Sequence, residues 1–241
     1  MKILFMGTPD FALCSLEALQ NSRHQVVGVV CQGDKPKGRG MTVQMPPTKE
    51  FALSHQIPVF QPASLKNGEL EEVLKAQNPD LIVVVAYGKL LPSYVLEYPR
   101  YGCINEHGSL LPKYRGSAPI QWSVIHGDSY GGVTTMYMAE KLDAGDILEM
   151  EKTPIGPDET SEDLYERLKV IGANLLLSTI DKLEKGMLTP IAQDESQATY
   201  APMLSKEMGN IDWTKSSREI KNLIRGLYSW PCAYTTTEKG I

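Results

Sequence analysis

The run L-I-V-V-V-A at residues 81–86 contains no polar side chain. A strand with one wet face alternates apolar and polar residues. A strand that does not alternate is covered on both faces, as in a parallel sheet sandwiched between helices. K-I-L-F-M at 2–6 and V-V-G-V-V-C at 26–31 have the same character. Each of these stretches runs into a turn containing Gly or Pro: G-T-P-D at 7–10, Q-G-D-K-P at 32–36 and Y-G-K-L-L-P at 87–92. A further strand is predicted to end at His107. With 241 residues, 42% of them hydrophobic, the chain can bury one sizeable core of this kind and a smaller attachment. The fold class is α/β: a Rossmann-like, mostly parallel sheet with helices on both faces. Gly7 is followed by Thr8-Pro9 rather than by G-x-G-x-x-G, so the dinucleotide signature is absent. Gly7 itself is open between a tight turn and a ligand contact.

The pattern between these strands predicts helices at 10–20 (with Asp10 as its cap), 48–55, 67–77 and 118–125. Strands at 132–138 and 147–155 are expected to extend the sheet as an antiparallel pair. T-S-E-D at 160–163 reads as a capping box that opens a long amphipathic helix to Glu184, with Gly172 a mild cost inside it. Residues 186–203 show no period and contain Pro190 and Pro202, the mark of an extended connection. After a helix at 216–226, a strand-like run stops at Ile241 and cannot close a sheet of its own. That predicts the truncated start of a further β-rich unit.

No apolar run is long enough to cross a bilayer. Asp10 interrupts the first apolar stretch and no small-residue cleavage pattern follows, so the stretch reads as a buried first strand rather than a signal peptide. Cys14, Cys31, Cys103 and Cys232 have no C-x-x-C spacing, which points to a reducing cytoplasm and gives no reason to expect a metal. A net charge of -5 makes no global case for nucleic acid. Locally, however, Lys35, Lys37 and Arg39 stand among glycines and Pro36 in a long loop at 32–47. That loop is either a solvated charged hairpin or an arm that meets a polyanion.

The chemistry concentrates at C-I-N-E-H-G-S-L-L-P-K-Y-R-G-S-A-P, residues 103–119. Asn105 and His107 lie two apart on an extended backbone, so both point to one face. A carboxamide N–H can hold an oxygen that gains negative charge, and an imidazole can carry a proton between nitrogens. An orienting carboxylate could come from Asp143 or Asp146 in L-D-A-G-D. Glu106 should face the other way, as a surface or supporting group. His24, His55 and His126 show no polar constellation in the sequence. One histidine with Asn and Asp is a poor zinc set, and Ser109 lacks the G-x-S-x-G elbow. The residues suit group transfer between two bound partners without a covalent intermediate.

G-T-P-D at 7–10, N-E-H-G-S-L-L-P at 105–112, Y-R-G-S-A-P at 114–119 and L-D-A-G-D at 142–146 resemble the 10-formyltetrahydrofolate-dependent formyltransferases. The similarity extends through D-K-P-K-G-R-G, I-D-W and W-P-C-A-Y, and so over essentially the whole chain. The resemblance implies that Asn105, His107 and Asp143 form the catalytic trio. It implies 10-formyltetrahydrofolate as co-substrate, held by Ala86, Tyr87, Gly88, Leu90, Leu91, Pro92, Ser109, Leu110, Leu111, Pro112, Ala139 and Leu142. It also implies a cis peptide at Leu111-Pro112 and no metal. The basic loop and the C-terminal segments favour the branch whose acceptor is the α-amine of methionyl-initiator tRNA, with Lys35, Lys37 and Arg39 on the RNA. The alternative acceptor is an amino sugar nucleotide or another small amine. The implied layout is a catalytic domain at 1–188, a linker at 189–205 and the incomplete start of a tRNA-binding β-barrel at 206–241, in a cytoplasmic monomer. Gly33 and Glu106 depart from the family's pattern, Gly33 by loosening the loop's hinge without loss of activity.

Overall fold

Residues 1–37 and 42–237 are described by the structure, a computed structural model. The chain begins β1 (Lys2–Gly7), α1 (Asp10–Gln20), β2 (Gln25–Val30), β3 (Lys35–Lys37), β4 (Thr42–Gln44), α2 (Pro47–Ser54), β5 (Val59–Phe60), α3 (Glu71–Gln77), β6 (Leu81–Val85) and α4 (Ser93–Leu96). It continues β7 (Cys103–His107), β8 (Arg115–Gly116), α5 (Pro119–Ile125), β9 (Tyr130–Tyr137), β10 (Ile147–Pro154), α6 (Ser161–Glu184), β11 (Tyr200–Ala201) and α7 (Ser217–Gly226).

A seven-stranded sheet in the order β10-β9-β7-β6-β1-β2-β5 forms the centre. β7, β6, β1, β2 and β5 run parallel, while β9 and β10 extend the sheet antiparallel, as their sequence predicts. The unbroken apolar strands are covered on both sides. Ile3, Phe5, Leu81, Val83 and Val85 pack with α1 and α6 residues such as Leu16, Leu168 and Leu176. Leu4, Met6, Ile82 and Val84 pack on the opposite side with Leu70, Leu74 and Val95. Burying each such side chain contributes about 1.5–3 kcal/mol, so this alternation fixes the register of the central strands.

The capping box forms as read: the Asp163 N–H donates to Thr160 Oγ1 at 3.2 Å, and the Thr160 N–H to Asp163 Oδ2 at 3.0 Å. Several local readings need correction. Pro9, not Asp10, is the N-cap of α1, and Asp10 instead accepts a 2.7 Å bond from the Tyr165 hydroxyl. α3 starts at Glu71 rather than 67, because the Glu69 carboxylate holds a preceding turn through the Ala63 N–H and the Asn67 side chain. Gly7 is a packing residue: a Cβ there would lie 2.7 Å from Ala12 Cβ and from the Val85 carbonyl oxygen. The basic loop is a hairpin at its base, with Lys35 opposite Gln44. Arg39 lies outside the described residues. At Gly33 an added Cβ would meet nothing within 4 Å.

Beyond α6 the chain runs back over the sheet's C-terminal edge, and β11 pairs parallel with β8. α7 then lies against α5, where Leu204 and Leu227 bury beside Ala118. No helix among the described residues is long and apolar enough to cross a membrane.

Candidate active site

β6 and β7 end side by side, and the loops that leave them wall a cleft of about 700 Å³. Strand alternation sends Cys103 into the second core cluster and Ile104 into the first. Asn105 and His107 follow the parity of Cys103 and line the cleft as nearly buried groups. Asp143 reaches the same spot from the loop between β9 and β10, its Oδ2 3.8 Å from His107 Nδ1. That carboxylate oxygen also accepts a 2.8 Å bond from the Gly116 N–H. Asp146 is not among the lining residues.

The other ring nitrogen, His107 Nε2, lies 2.8 Å from the Tyr114 carbonyl oxygen. A carbonyl only accepts, so Nε2 carries a hydrogen and Nδ1 is the nitrogen left to take up or release a proton. Backbone at Tyr114 therefore sets the tautomer, and the carboxylate faces the working nitrogen. The cleft offers a donor (Asn105), a proton carrier (His107) and a fixed anion (Asp143) around one small volume. That arrangement suits addition to a carbonyl and collapse of the resulting oxyanion.

Of the predicted folate residues, Ala86, Tyr87, Gly88, Leu90, Ala139 and Leu142 line this cleft. Leu90 and Leu142 are large apolar side chains left substantially exposed at its mouth. Leu91 is instead core, packed with Tyr87 and Val95, and Pro92 caps α4. Ser109, Leu110, Leu111 and Pro112 face a separate cavity of about 380 Å³, lined also by Asp128, Tyr130 and Lys152. That places them away from the main cleft, because the chain reverses after Gly108 and the Ser109 hydroxyl is tied to the Lys113 carbonyl at 2.6 Å. The Leu111-Pro112 peptide is cis, as the resemblance implies. The basic hairpin joins the cleft rim through Gln32, whose Oε1 accepts from Lys35 Nζ at 2.7 Å and whose Nε2 donates to the Tyr87 carbonyl at 2.8 Å.

Glu106 borders the cleft, but its side chain leaves the face of β7 opposite Asn105 and His107, and it is not a surface group. It is buried between α1 and α6, accepting a 2.5 Å bond from the Ser15 hydroxyl, and burial pushes its carboxyl up to about 8. Nor are the other histidines all isolated. His24 Nε2 lies 3.2 Å from Asp181 Oδ1, and His126 Nδ1 is 3.1 Å from the Tyr114 hydroxyl. Sequence reasoning also passed over Tyr165, Tyr200 and Pro202, which line the cleft from distant segments, and gave no role to Arg115 of the Y-R-G-S-A-P motif.

Comparison with known proteins places this sheet, with its polar cleft at the C-terminal edge, among the formyl transferases. The sequence model of the Formyl transferase family matches residues 1–180, and that of the Formyl transferase, C-terminal domain, matches 203–241. The chain is 51% identical to a methionyl-tRNA formyltransferase of Alkaliphilus oremlandii, over 99% of this chain and 77% of that protein. It belongs to the methionyl-tRNA formyltransferase family. Among solved structures, a 4-N formyltransferase from Francisella tularensis superposes with a TM-score of 0.77 at 23% identity, covering 100% of this chain and 94% of that one. An N-formyltransferase from Helicobacter canadensis, in complex with folinic acid and dTDP-3-aminofucose, gives a TM-score of 0.74 at 21% identity, covering 94% and 80%. At that identity both show the fold.

Proposed function

We propose that the chain transfers the formyl group of 10-formyltetrahydrofolate to the α-amine of methionyl-initiator tRNA. The observation that carries this reading is the convergence of Asn105, His107 and Asp143 on one cleft whose mouth is apolar. The exposed side chains of Leu90 and Leu142 offer faces to a planar heteroaromatic ring, and backbone at Ala86–Gly88 offers edge partners to its polar atoms. The basic hairpin, tied to the same rim through Gln32, supplies positive charge for RNA on an otherwise acidic chain.

In this reading the neutral amine attacks the formyl carbon while that carbon is still bonded to N10. The carbonyl electron pair moves onto oxygen, where the Asn105 carboxamide N–H and a protonated His107 Nδ1 donate to it. Asp143 faces the charged ring. As the oxyanion collapses, the C–N10 bond breaks and its electron pair stays on N10. His107 Nδ1 passes its proton to N10 and then takes up the proton leaving the amine, so the ring ends as it began. The residues act as a reusable donor set, and no group on the protein is acylated. We take the enzyme to work as a cytoplasmic monomer, with four free thiols among the described residues.

The test is formyl transfer from 10-formyltetrahydrofolate to methionyl-initiator tRNA and, in parallel, to an amino sugar nucleotide. Transfer to the charged tRNA is expected. Turnover confined to the sugar would move the protein to the other branch.

A further inference from the structure

Asp143 stands in left-handed backbone, at a φ of 48°, within a loop that has no regular structure of its own. What fixes it comes from the segment after α6. Gln193 Nε2 donates to the Asp143 carbonyl at 2.9 Å and to the Gly145 carbonyl at 2.7 Å. Gln193 Oε1 accepts from Arg115 Nε at 3.1 Å and from Nη2 at 2.8 Å. Carbonyls only accept and guanidinium only donates, so the carboxamide has a single possible orientation. Arg115 is completely buried, and its Nη2 also reaches Glu195 Oε1 at 2.9 Å. The second Glu195 oxygen holds Lys141, two residues before Asp143, at 2.7 Å. Two further ties close the strap. Ile191 and Ile147 exchange backbone bonds at 2.8 and 2.9 Å. β11 packs so closely on β8 that a Cβ at Gly116, the residue whose N–H holds the Asp143 carboxylate, would lie 2.7 Å from the Ala201 carbonyl oxygen.

We propose that Gln193 is a positioning residue for the transfer reaction: oriented by Arg115, it holds the Asp143 loop so that the carboxylate faces His107. The inference rests on the reading of Asp143 as the partner of His107. A carboxylate in a loop without ladder bonds drifts once its backbone anchors go, and a shift of about 1 Å at a reacting group costs up to about 10²-fold in rate.

Gln193→Glu keeps acceptors for Arg115 but removes both donors to the loop carbonyls, and Gln193→Met keeps the length while removing every polar atom. Both should be made alone and with Asp143→Asn, and assayed with 10-formyltetrahydrofolate and methionyl-initiator tRNA. Each Gln193 change is expected to lower kcat about 10–100-fold while KM for either substrate moves less than about threefold. In the Asp143→Asn background the same change should cost less than about twofold, because the group it positions is already neutralised. A kcat near wild type for Gln193→Glu, or for Gln193→Met if the former does not fold, overturns the proposal provided that Asp143→Asn is impaired. Equal losses in both backgrounds also overturn it, since they mark a general scaffold. Full activity of Asp143→Asn would instead remove the catalytic reading, and the inference with it.

Discussion

The Nε2 of His107 donates to the carbonyl oxygen of Tyr114 at 2.8 Å, and the opposite nitrogen, Nδ1, faces Asp143 at 3.8 Å. The ring is thus held from behind by backbone, and its reactive edge is turned toward the cleft. Nitrogen-15 spectra of histidine-labelled protein should show the neutral His107 ring with its hydrogen on Nε2. A neutral ring protonated on Nδ1 would mean that the Tyr114 bond does not form, and the order of proton movements proposed above would have to be abandoned.

In the proposed mechanism Asn105 is the oxyanion donor, and its loss should leave the rest of the site in place. Val84 and Met136 flank it in register on neighbouring strands, so truncation at Cβ does not disturb the ladder. Removing one such donor from an acyl-transfer site costs roughly 10²–10³ in turnover, and Asn105→Ala is expected to fall in that range. Single-turnover rates at saturating co-substrate and acceptor decide the matter; near-normal rates would remove the carboxamide from the mechanism.

Arg39 follows Lys35 and Lys37 in the sequence, and those two lie on the strand that pairs with Thr42–Gln44. If these cations bind RNA phosphate, each one lost reduces the salt dependence of tRNA binding. Arg39→Ala should weaken tRNA binding and lower the slope of log K against log salt by about 1, while KM for the folate co-substrate stays close to wild type. A matching rise in both KM values would show that the hairpin supports the cleft rather than the RNA.

Much of this arrangement is legible in the sequence where one physical rule acts locally. L-I-V-V-V-A announces a strand covered on both faces, T-S-E-D announces a helix start, and the two-residue spacing of Asn105 and His107 places them together. What escapes is whatever depends on partners far along the chain. Glu106 is buried only because Ser15 of α1 and Gly172 of α6 make room for it. Gln193 sits in a segment without period, where nothing marks one polar residue above another. Ser109 to Pro112 face the smaller cavity because tertiary contacts, not local sequence, set the direction in which that loop turns.

Gly172 shows how such a partner changes the reading of a residue. From the helix pattern alone, Gly172→Ala should stabilise α6 by up to about 1 kcal/mol. In the structure the new Cβ would sit 1.9 Å from Glu106 Oε1 and 2.7 Å from its Cδ. Overpacking of a tight interior costs about 1–3 kcal/mol against a helix gain of up to about 1 kcal/mol, so a net loss of up to roughly 2 kcal/mol is expected. Denaturant unfolding of Gly172→Ala and of the Glu106→Ala, Gly172→Ala double variant checks this, because the double variant should recover stability that the single one loses.

Burial raises the Glu106 carboxyl from an ordinary 4.5 to about 8, with only the Ser15 bond opposing the rise. Below pH 4.5 the group is protonated in folded and unfolded chains alike and does not affect stability. Between 4.5 and 8 the unfolded chain ionises while the folded one keeps its proton, so stability is lost by about 1.4 kcal/mol per pH unit. Above 8 both forms are ionised and the loss levels off, at a total on the order of 3–5 kcal/mol. Glu106→Gln retains an acceptor for Ser15 and cannot ionise. Its unfolding free energy should therefore separate from that of the wild type as pH rises from 5 to 8, with the variant increasingly the more stable. Curves that stay parallel over that interval would mean that the Glu106 carboxyl titrates alike in the folded and unfolded chains.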